Sequence, residues 1–139
     1  MPEIKPTGGV AQSIAASALR AQQARMRIIA ENLANADTTS KTPGGDPYRR
    51  QEAIFEPTRI GGAKGVRMSK VEPDTSAFRQ EYDPGHPSAD DKGYVKLPNV
   101  NSLVEALDMR EAQRAYEANL NVIETSRALQ LRTLDLLKK

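Results

Sequence analysis

The chain has 139 residues, a net charge of +2 and no cysteine. A chain of this length holds one small domain, and without cysteine it has no disulfide, thiolate nucleophile or cysteine-based zinc site. Its Lys and Arg residues are not gathered in a tail or interleaved with aromatics, which argues against nucleic acid as a partner. No run approaches the roughly 20 apolar residues of a membrane span. The N-terminus also lacks the apolar core of a secretory signal, so we expect neither membrane insertion nor a cleaved signal.

The N-terminal region divides into an arm and a helix. Residues 1–10 contain two prolines and two glycines and are expected to form an arm. Residues 11–36 contain neither residue type and are predicted to be helical. Their apolar seam has alternating spacings of four and three, as in a coiled coil: Ala15, Leu19, Gln22, Met26, Ile29, Leu33 and Ala36. Because the seam is rich in alanine, the helix would be marginal without a partner.

The middle segment, residues 37–98, has a different composition. Seven of the nine glycines and seven of the nine prolines lie between Asp37 and Val100. Four short runs of β-forming residues are separated by these turn formers: residues 48–56, 65–72, 76–82 and 94–97. We predict a hairpin or small sheet with extended loops.

The C-terminal region, residues 99–139, is predicted to be a second long helix. Asn101 or Ser102 is the expected N-cap, with Glu105 completing a capping box. Apolar residues occur on more than one face, which is typical of a helix with more than one neighbour. The predicted fold is therefore mainly α with a small β or irregular insert. The two terminal helices would pair as an inner assembly domain, and further subunits would cover their remaining apolar faces.

No catalytic, cofactor or metal site is indicated. His86, the single histidine, lies among prolines and glycines and is read as a solvated loop residue. A small hydrolase using His86 with Asp90 or Asp91 is the weakest alternative. Asp83 joins these two aspartates nearby, but their spacing does not match a calcium-binding loop.

Four segments carry a resemblance to a known family. They are NLANADTT at 32–39, GGDPYRRQEAIF at 44–55, YDPGHPSADDKGYVKLPNVN at 82–101 and AQRAYEANLNVIETSRALQLRTLDLLKK at 112–139. With these segments the chain resembles the flagellar axial proteins, the rod and hook subunits of bacterial flagella, over nearly its whole length after Val10. The short middle segment is unlike that of the larger distal rod and hook proteins.

The resemblance implies a structural subunit of the proximal rod, the drive shaft of the flagellum. Paired terminal helices would line the export channel, and the middle segment would face outward. The implied partners are copies of the chain, other proximal rod proteins, the distal rod protein, the junction with the membrane ring and the flagellar type III export apparatus. The implied location is the periplasmic rod, reached without a cleaved signal. A cytoplasmic coiled-coil adaptor or secretion chaperone is the alternative.

Two residue sets follow as candidate sites. The assembly interface is expected to use Leu19, Met26, Ile29, Asn32, Leu33, Asn35, Tyr116, Val122, Ile123, Leu129 and Leu136. The loop characteristic of the family is expected to involve Pro47, Tyr48, Tyr82, Pro84, Gly85, Asp90, Gly93, Tyr94, Pro98 and Asn99.

Asn32 and Asn35 have two interpretations. They can form a polar C-terminal turn of the first helix. Alternatively, their amides can bond to the backbone of the partner helix or of a neighbouring subunit and fix the register of the assembly.

Overall fold

Two long antiparallel helices form the body of the molecule in a computed structural model that describes residues 7–138. The elements in chain order are α1 (Thr7–Ala34), β1 (Gln51–Ile60), β2 (Ala63–Pro73), β3 (Arg79–Tyr82), β4 (Tyr94–Leu97) and α2 (Ser102–Leu137). A hydrogen bond between the side chains of Gln12 and Gln130 and an ion pair between Arg25 and Glu111 show that the helices run in opposite directions. The mainly α architecture with a small β insert is confirmed.

Helix α1 begins at Thr7, four residues before its predicted start, so residues 7–10 are helical instead of part of an arm. Residues 1–6 of the expected arm lie outside the described part of the chain. Glycine costs only about 1 kcal/mol in a helix interior, so Gly8 and Gly9 do not prevent a helix from beginning at Thr7. A methyl group added at Gly61 would lie 3.4 Å from Val10, so the start of α1 lies against the turn between β1 and β2. At the other end α1 stops at Ala34, two residues before its predicted end.

Small side chains are prominent among the buried residues of the two helices. Ala15 and Ala21 on α1 are buried, and Ala112 on α2 has no exposed surface. Alanine brings helix backbones close together while burying little apolar area for each residue. All seven residues of the predicted seam are buried or half-buried, including Ala36, which lies just after α1.

Strands β1 and β2 form an antiparallel hairpin that packs on α1. Gly61 and Gly62 make its turn with φ values of +58° and +84°, a backbone conformation that glycine adopts without strain. The pairing register shifts after Ile54, leaving Ser69 as a bulge residue. The hydroxyl of Ser17 accepts a 3.3 Å hydrogen bond from the backbone N–H of Val66, which fixes the hairpin on the helix.

Strands β3 and β4 form a second, separate antiparallel pair. The rings of Tyr82 and Tyr94 stack edge to face at 5.3 Å where this pair opens into a loop. Gly93 has a φ of +84°, and an added methyl group would lie only 2.9 Å from the ring of Tyr82.

Helix α2 begins with the predicted cap. The side-chain oxygen of Asn101 accepts hydrogen bonds from the N–H groups of Leu103 and Val104, at 3.1 and 3.3 Å. The predicted capping box is wrong, because the carboxylate of Glu105 binds Arg50 and not the N-terminus of the helix. Within residues 7–138, neither helix is long and apolar enough to cross a membrane.

Candidate assembly interface and its supporting junction

Asn32 connects the end of α1 to the start of β1. Its side-chain oxygen accepts hydrogen bonds from the hydroxyl of Tyr48 at 2.7 Å and from the N–H of Gln51 at 2.9 Å. Its amide nitrogen donates to the carbonyl oxygen of Gln51 at 2.9 Å. The side chain is only 1% exposed, so these bonds satisfy a polar group that would be costly to bury alone.

Arg50, just before β1, connects the base of the β1–β2 hairpin to α2. Its Nε donates to Glu105, and a terminal nitrogen donates to Glu52 and, at 3.2 Å, to Asp74. Asp108 lies 4.0 Å from the guanidinium. Burial opposes the charge on Arg50, yet hydrogen bonds to Glu105, Glu52 and Asp74 and attraction from Glu105 leave its pKa above the ordinary value. Arg50 therefore stays charged and ties the middle segment to the beginning of α2.

Asn99 holds the segment that leads into α2. Its side-chain oxygen accepts a 2.8 Å hydrogen bond from the N–H of Arg50. Its amide nitrogen donates to the carbonyl oxygens of Asp74 and Ser76, at 3.0 and 3.1 Å. One amide thus joins three parts of the chain that are far apart in sequence.

Arg79, the first residue of β3, binds the backbone near the ends of both helices. Its guanidinium donates to the carbonyl oxygens of Ala36, just after α1, and Pro98, just before α2, both at 3.2 Å. We call the set of Asn32, Arg50, Arg79, Asn99 and Glu105 the junction. It fixes the middle segment relative to both helices with hydrogen bonds and ion pairs.

Two further pKa shifts occur around the junction. Burial raises the pKa of the Tyr48 hydroxyl, and the negative charges of Glu31 and Glu105 raise it further. A hydrogen bond from the backbone N–H of Ser76 is the main cause that lowers the pKa of Asp74, with a smaller effect from Arg50. Near neutral pH Tyr48 is therefore a neutral donor and Asp74 is a charged acceptor.

The characteristic loop is largely built into the fold. Pro47, Gly93 and Pro98 are buried, and Tyr48 and Asn99 make the junction contacts described above. Asp90 shapes the turn before β4, because its carboxylate accepts hydrogen bonds from the N–H groups of Lys92 and Tyr94, both at 2.9 Å. The remaining predicted loop residues are exposed: Tyr82, Pro84, Gly85 and Tyr94.

His86 has a local role in the same loop. Its Nδ1 accepts a 3.0 Å hydrogen bond from the backbone N–H of Ser88, whose hydroxyl donates to the carbonyl oxygen of Ser40. The imidazole thus stabilises a turn, and it makes no hydrogen bond to Asp90 or Asp91 within the described residues. The part of the chain that the structure describes also contains no group of side chains able to hold a metal ion.

The predicted interface residues fall into three groups by exposure. Val122, Leu129 and Leu136 are exposed, at 47%, 57% and 73%. Half-buried are Leu19, Met26, Leu33, Asn35, Tyr116 and Ile123. Ile29 and Asn32 are buried inside the subunit, at 5% and 1% exposure, and their part in an interface between subunits stays a prediction. The helix pair and β1 already cover them.

The two asparagines therefore have different roles. Asn32 bonds to the backbone of β1, not to that of α2 as one interpretation predicted. The side-chain amide of Asn35 donates to the carbonyl oxygen of Glu31 at 2.8 Å. The backbone carbonyl oxygen of Asn35 accepts hydrogen bonds from the hydroxyl and the N–H of Thr38, at 3.0 and 3.2 Å. This agrees with the interpretation of Asn35 as part of a polar C-terminal turn.

The distal half of α2 with its C-cap, residues 120–138, carries much of the exposed apolar surface of the described residues. Sequence reasoning missed three of its leucines, Leu131, Leu134 and Leu137, which are 58%, 55% and 77% exposed. Their spread around the helix was visible in the sequence. It also missed Arg50 and Arg79. No local pattern gives a signal for them, since the partners that connect them to other elements lie 19 or more residues away along the chain.

Known proteins resemble the chain over most of its length. A family model described as "Flagella basal body rod protein" matches residues 13–40, and one described as "Flagellar basal body rod FlgEFG protein C-terminal" matches residues 91–136. The flagellar basal-body rod protein FlgC of Agrobacterium fabrum is 51% identical over 130 residues, which cover 92% of this chain and 94% of that protein. The chain belongs to the FlgC family of flagellar basal-body rod proteins.

More distant members support the same assignment. FlgC of Borreliella burgdorferi is 43% identical over 137 residues, covering 84% of this chain and 89% of that protein. FlgC of Bacillus subtilis is 35% identical over 141 residues, covering 89% of this chain and 94% of that protein. The chain is therefore a structural subunit of the flagellar rod in the basal body, and the alternative of a cytoplasmic adaptor has no support.

Proposed function

We propose that the chain is a non-enzymatic subunit of the proximal rod that transmits torque through tight packing with its neighbours. In this proposal α1 and α2 form the inner wall of the rod around the export channel. The middle segment faces outward. Membership in the FlgC family supports the rod assignment, and the pairing of the terminal helices supports the division into an inner and an outer part.

The observation that carries the proposal is the apolar surface of the distal half of α2. Five leucines between positions 129 and 137 are each more than half exposed: Leu129, Leu131, Leu134, Leu136 and Leu137. A monomeric protein rarely exposes so dense an apolar patch. In a rod, neighbouring subunits would cover it, and the burial of leucine would supply the free energy that the alanine-rich contact between α1 and α2 lacks.

The proposal includes a location and a route. The subunit would lie in the periplasmic part of the basal body and arrive through the flagellar type III export apparatus without a cleaved signal. Its neighbours would be copies of itself, other proximal rod proteins, the distal rod protein and the protein that joins the rod to the membrane ring. The absence of cysteine fits this route, because no disulfide has to form before assembly.

A deletion tests the proposal. Removing the residues from Leu129 onward should leave a chain that is exported but absent from purified basal bodies, and cells should not swim. Immunoblots of the periplasm and of basal bodies, with a swimming assay, give the readout. Normal motility of the deletion strain would overturn the proposal.

Two full-length double variants distinguish the loss of apolar contact from the shortening of the helix. Leu129→Ser with Leu136→Ser should block assembly as the deletion does. Thr133→Ser with Asp135→Ser changes exposed polar residues between the same two leucines and should leave swimming intact.

A further inference from the structure

A cavity of about 210 Å³ lies beside the junction, between α1, β1 and the beginning of α2. Five charged side chains line it: Arg25, Arg50, Glu52, Glu105 and Asp108. Glu105 and Asp108 are three residues apart and therefore lie on the same face of α2. We call this space the acidic cavity.

Two carboxylates of the acidic cavity lack a full set of partners. Glu105 is 1% exposed, and only one of its oxygens binds Arg50; among the described residues its Oε2 has no hydrogen-bond partner. Asp108 is separated from Arg50 by 4.0 Å, beyond hydrogen-bonding distance, and is partly exposed at the rim. A buried carboxylate oxygen without a donor is costly, so the site favours a ligand that supplies one.

The two arginines of the cavity are already engaged. Arg50 binds Glu105, Glu52 and Asp74. Arg25 pairs with Glu111 at 3.7 Å. The unmatched charge of the cavity is therefore negative, and its matching ligand is a cation with hydrogen-bond donors, such as a guanidinium or an ammonium group.

The distal half of α2 carries such groups. Residues 102–119 of α2 contain four acidic and two basic residues, whereas residues 120–138 contain two acidic and three basic ones. The three basic residues of the distal half, Arg127, Arg132 and Lys138, are all exposed. The two halves of the helix are thus complementary in charge, and a single chain holds them at opposite ends of α2.

We propose that the acidic cavity of one subunit binds a basic side chain from the distal half of α2 of a second copy of the same chain. This inference rests on the proposed function, since packing of the distal leucines against a neighbour would bring these basic residues to it. Glu105 Oε2 and Asp108 would accept hydrogen bonds from the incoming cation. The contact would fix the axial register between copies, which leucine packing alone leaves variable.

Charge reversal tests the proposal in cells. Asp108→Arg should abolish swimming or reduce the motile fraction by about tenfold or more, because like charges would then meet in a partly desolvated site. Asp108→Asn, which keeps the size of the side chain, should cause a smaller loss in the same direction. Glu117→Arg reverses an exposed charge on the same helix outside the cavity and should change swimming by less than about twofold.

Paired reversal identifies the occupant. Combining Asp108→Arg with Arg127→Asp, Arg132→Asp or Lys138→Asp should restore basal bodies and swimming for one of the three pairs, because every copy carries both changes. Far-UV circular dichroism of the purified Asp108 variants should match that of the original protein. Normal swimming of the Asp108→Arg strain would overturn the proposal and leave the cavity as a hydrated space.

Rescue by none of the three pairs would also overturn the proposal, since the cation would then come from another protein. If these tests fail while the deletion from Leu129 still blocks assembly, only this contact is wrong and the proposed rod function stands.

Discussion

The junction and the distal half of α2 reverse the usual distribution of polar and apolar residues. At the junction Asn32 and Glu105 are each 1% exposed and make hydrogen bonds or ion pairs. In the distal half Leu136 and Leu137 are 73% and 77% exposed. The subunit therefore buries polar groups inside itself and presents leucine on its surface.

This difference indicates two separate tasks. Hydrogen bonds are directional, so the junction sets the position of the middle segment relative to the helices. Apolar contact is non-directional and roughly proportional to area, so the distal half provides affinity without fixing a geometry. A rod subunit needs both properties, since torque passes only between bodies that keep their shape and remain attached.

Loss of the Arg50 side chain should have the largest effect on the isolated subunit. Arg50→Met leaves the Glu105 carboxylate buried without its partner. Breaking a buried pair costs about 3–5 kcal/mol, and the partial exposure of Arg50 lowers our expectation to about 2–4 kcal/mol. Urea unfolding followed by circular dichroism measures this loss.

Two further variants make the Arg50 test specific. Arg67→Met removes an exposed ion pair with Glu56 in the hairpin and should cost less than about 1 kcal/mol. Arg50→Met combined with Glu105→Leu should recover part of the lost stability, because no buried charge remains. If Arg50→Met is as mild as Arg67→Met, the junction does not hold the middle segment.

Asn32 and Asn35 offer a matched comparison within one helix turn. Asn32→Ala removes three hydrogen bonds and takes these partners from groups of the half-buried Tyr48 and Gln51, so it should cost about 1–3 kcal/mol. Asn35→Ala removes one exposed local bond and should cost less than about 0.5 kcal/mol. Equal losses in urea unfolding would show that Asn32 does not connect α1 to β1.

The sequence predicted the elements of this fold better than its contacts. The distribution of glycine and proline located both helices, and Asn101 marked the start of α2, because these signals act within a few residues. Likewise, the Gly61–Gly62 pair indicated the turn of the hairpin. The start of α1 was missed because the prolines and glycines of residues 1–10 indicated an arm, whereas glycine opposes a helix only weakly.

The long-range polar pairs could not be predicted from a sequence pattern. Glu105 fits a capping box locally, but its partner Arg50 lies 55 residues earlier in the chain. Likewise, Asn32 binds Gln51, 19 residues later. Neither spacing corresponds to a helical or strand period, so only the folded chain brings these groups together.

Acid should weaken the junction before it affects the apolar surface, although this is the smallest effect we expect. The pKa of Asp74 is lowered in the folded protein, chiefly by its hydrogen bond with Ser76, so its contribution to stability is present above the unfolded pKa and is lost as pH falls through the folded one. Asp74→Asn should therefore lower the free energy of unfolding at pH 6 by less than about 1 kcal/mol. The variant and the original protein should converge as the pH falls through the folded pKa of Asp74, because the native carboxylate then becomes protonated as well. A difference that stays constant from pH 6 to pH 2 would show that the charge of Asp74 contributes nothing and that only the shape of its side chain matters to the junction.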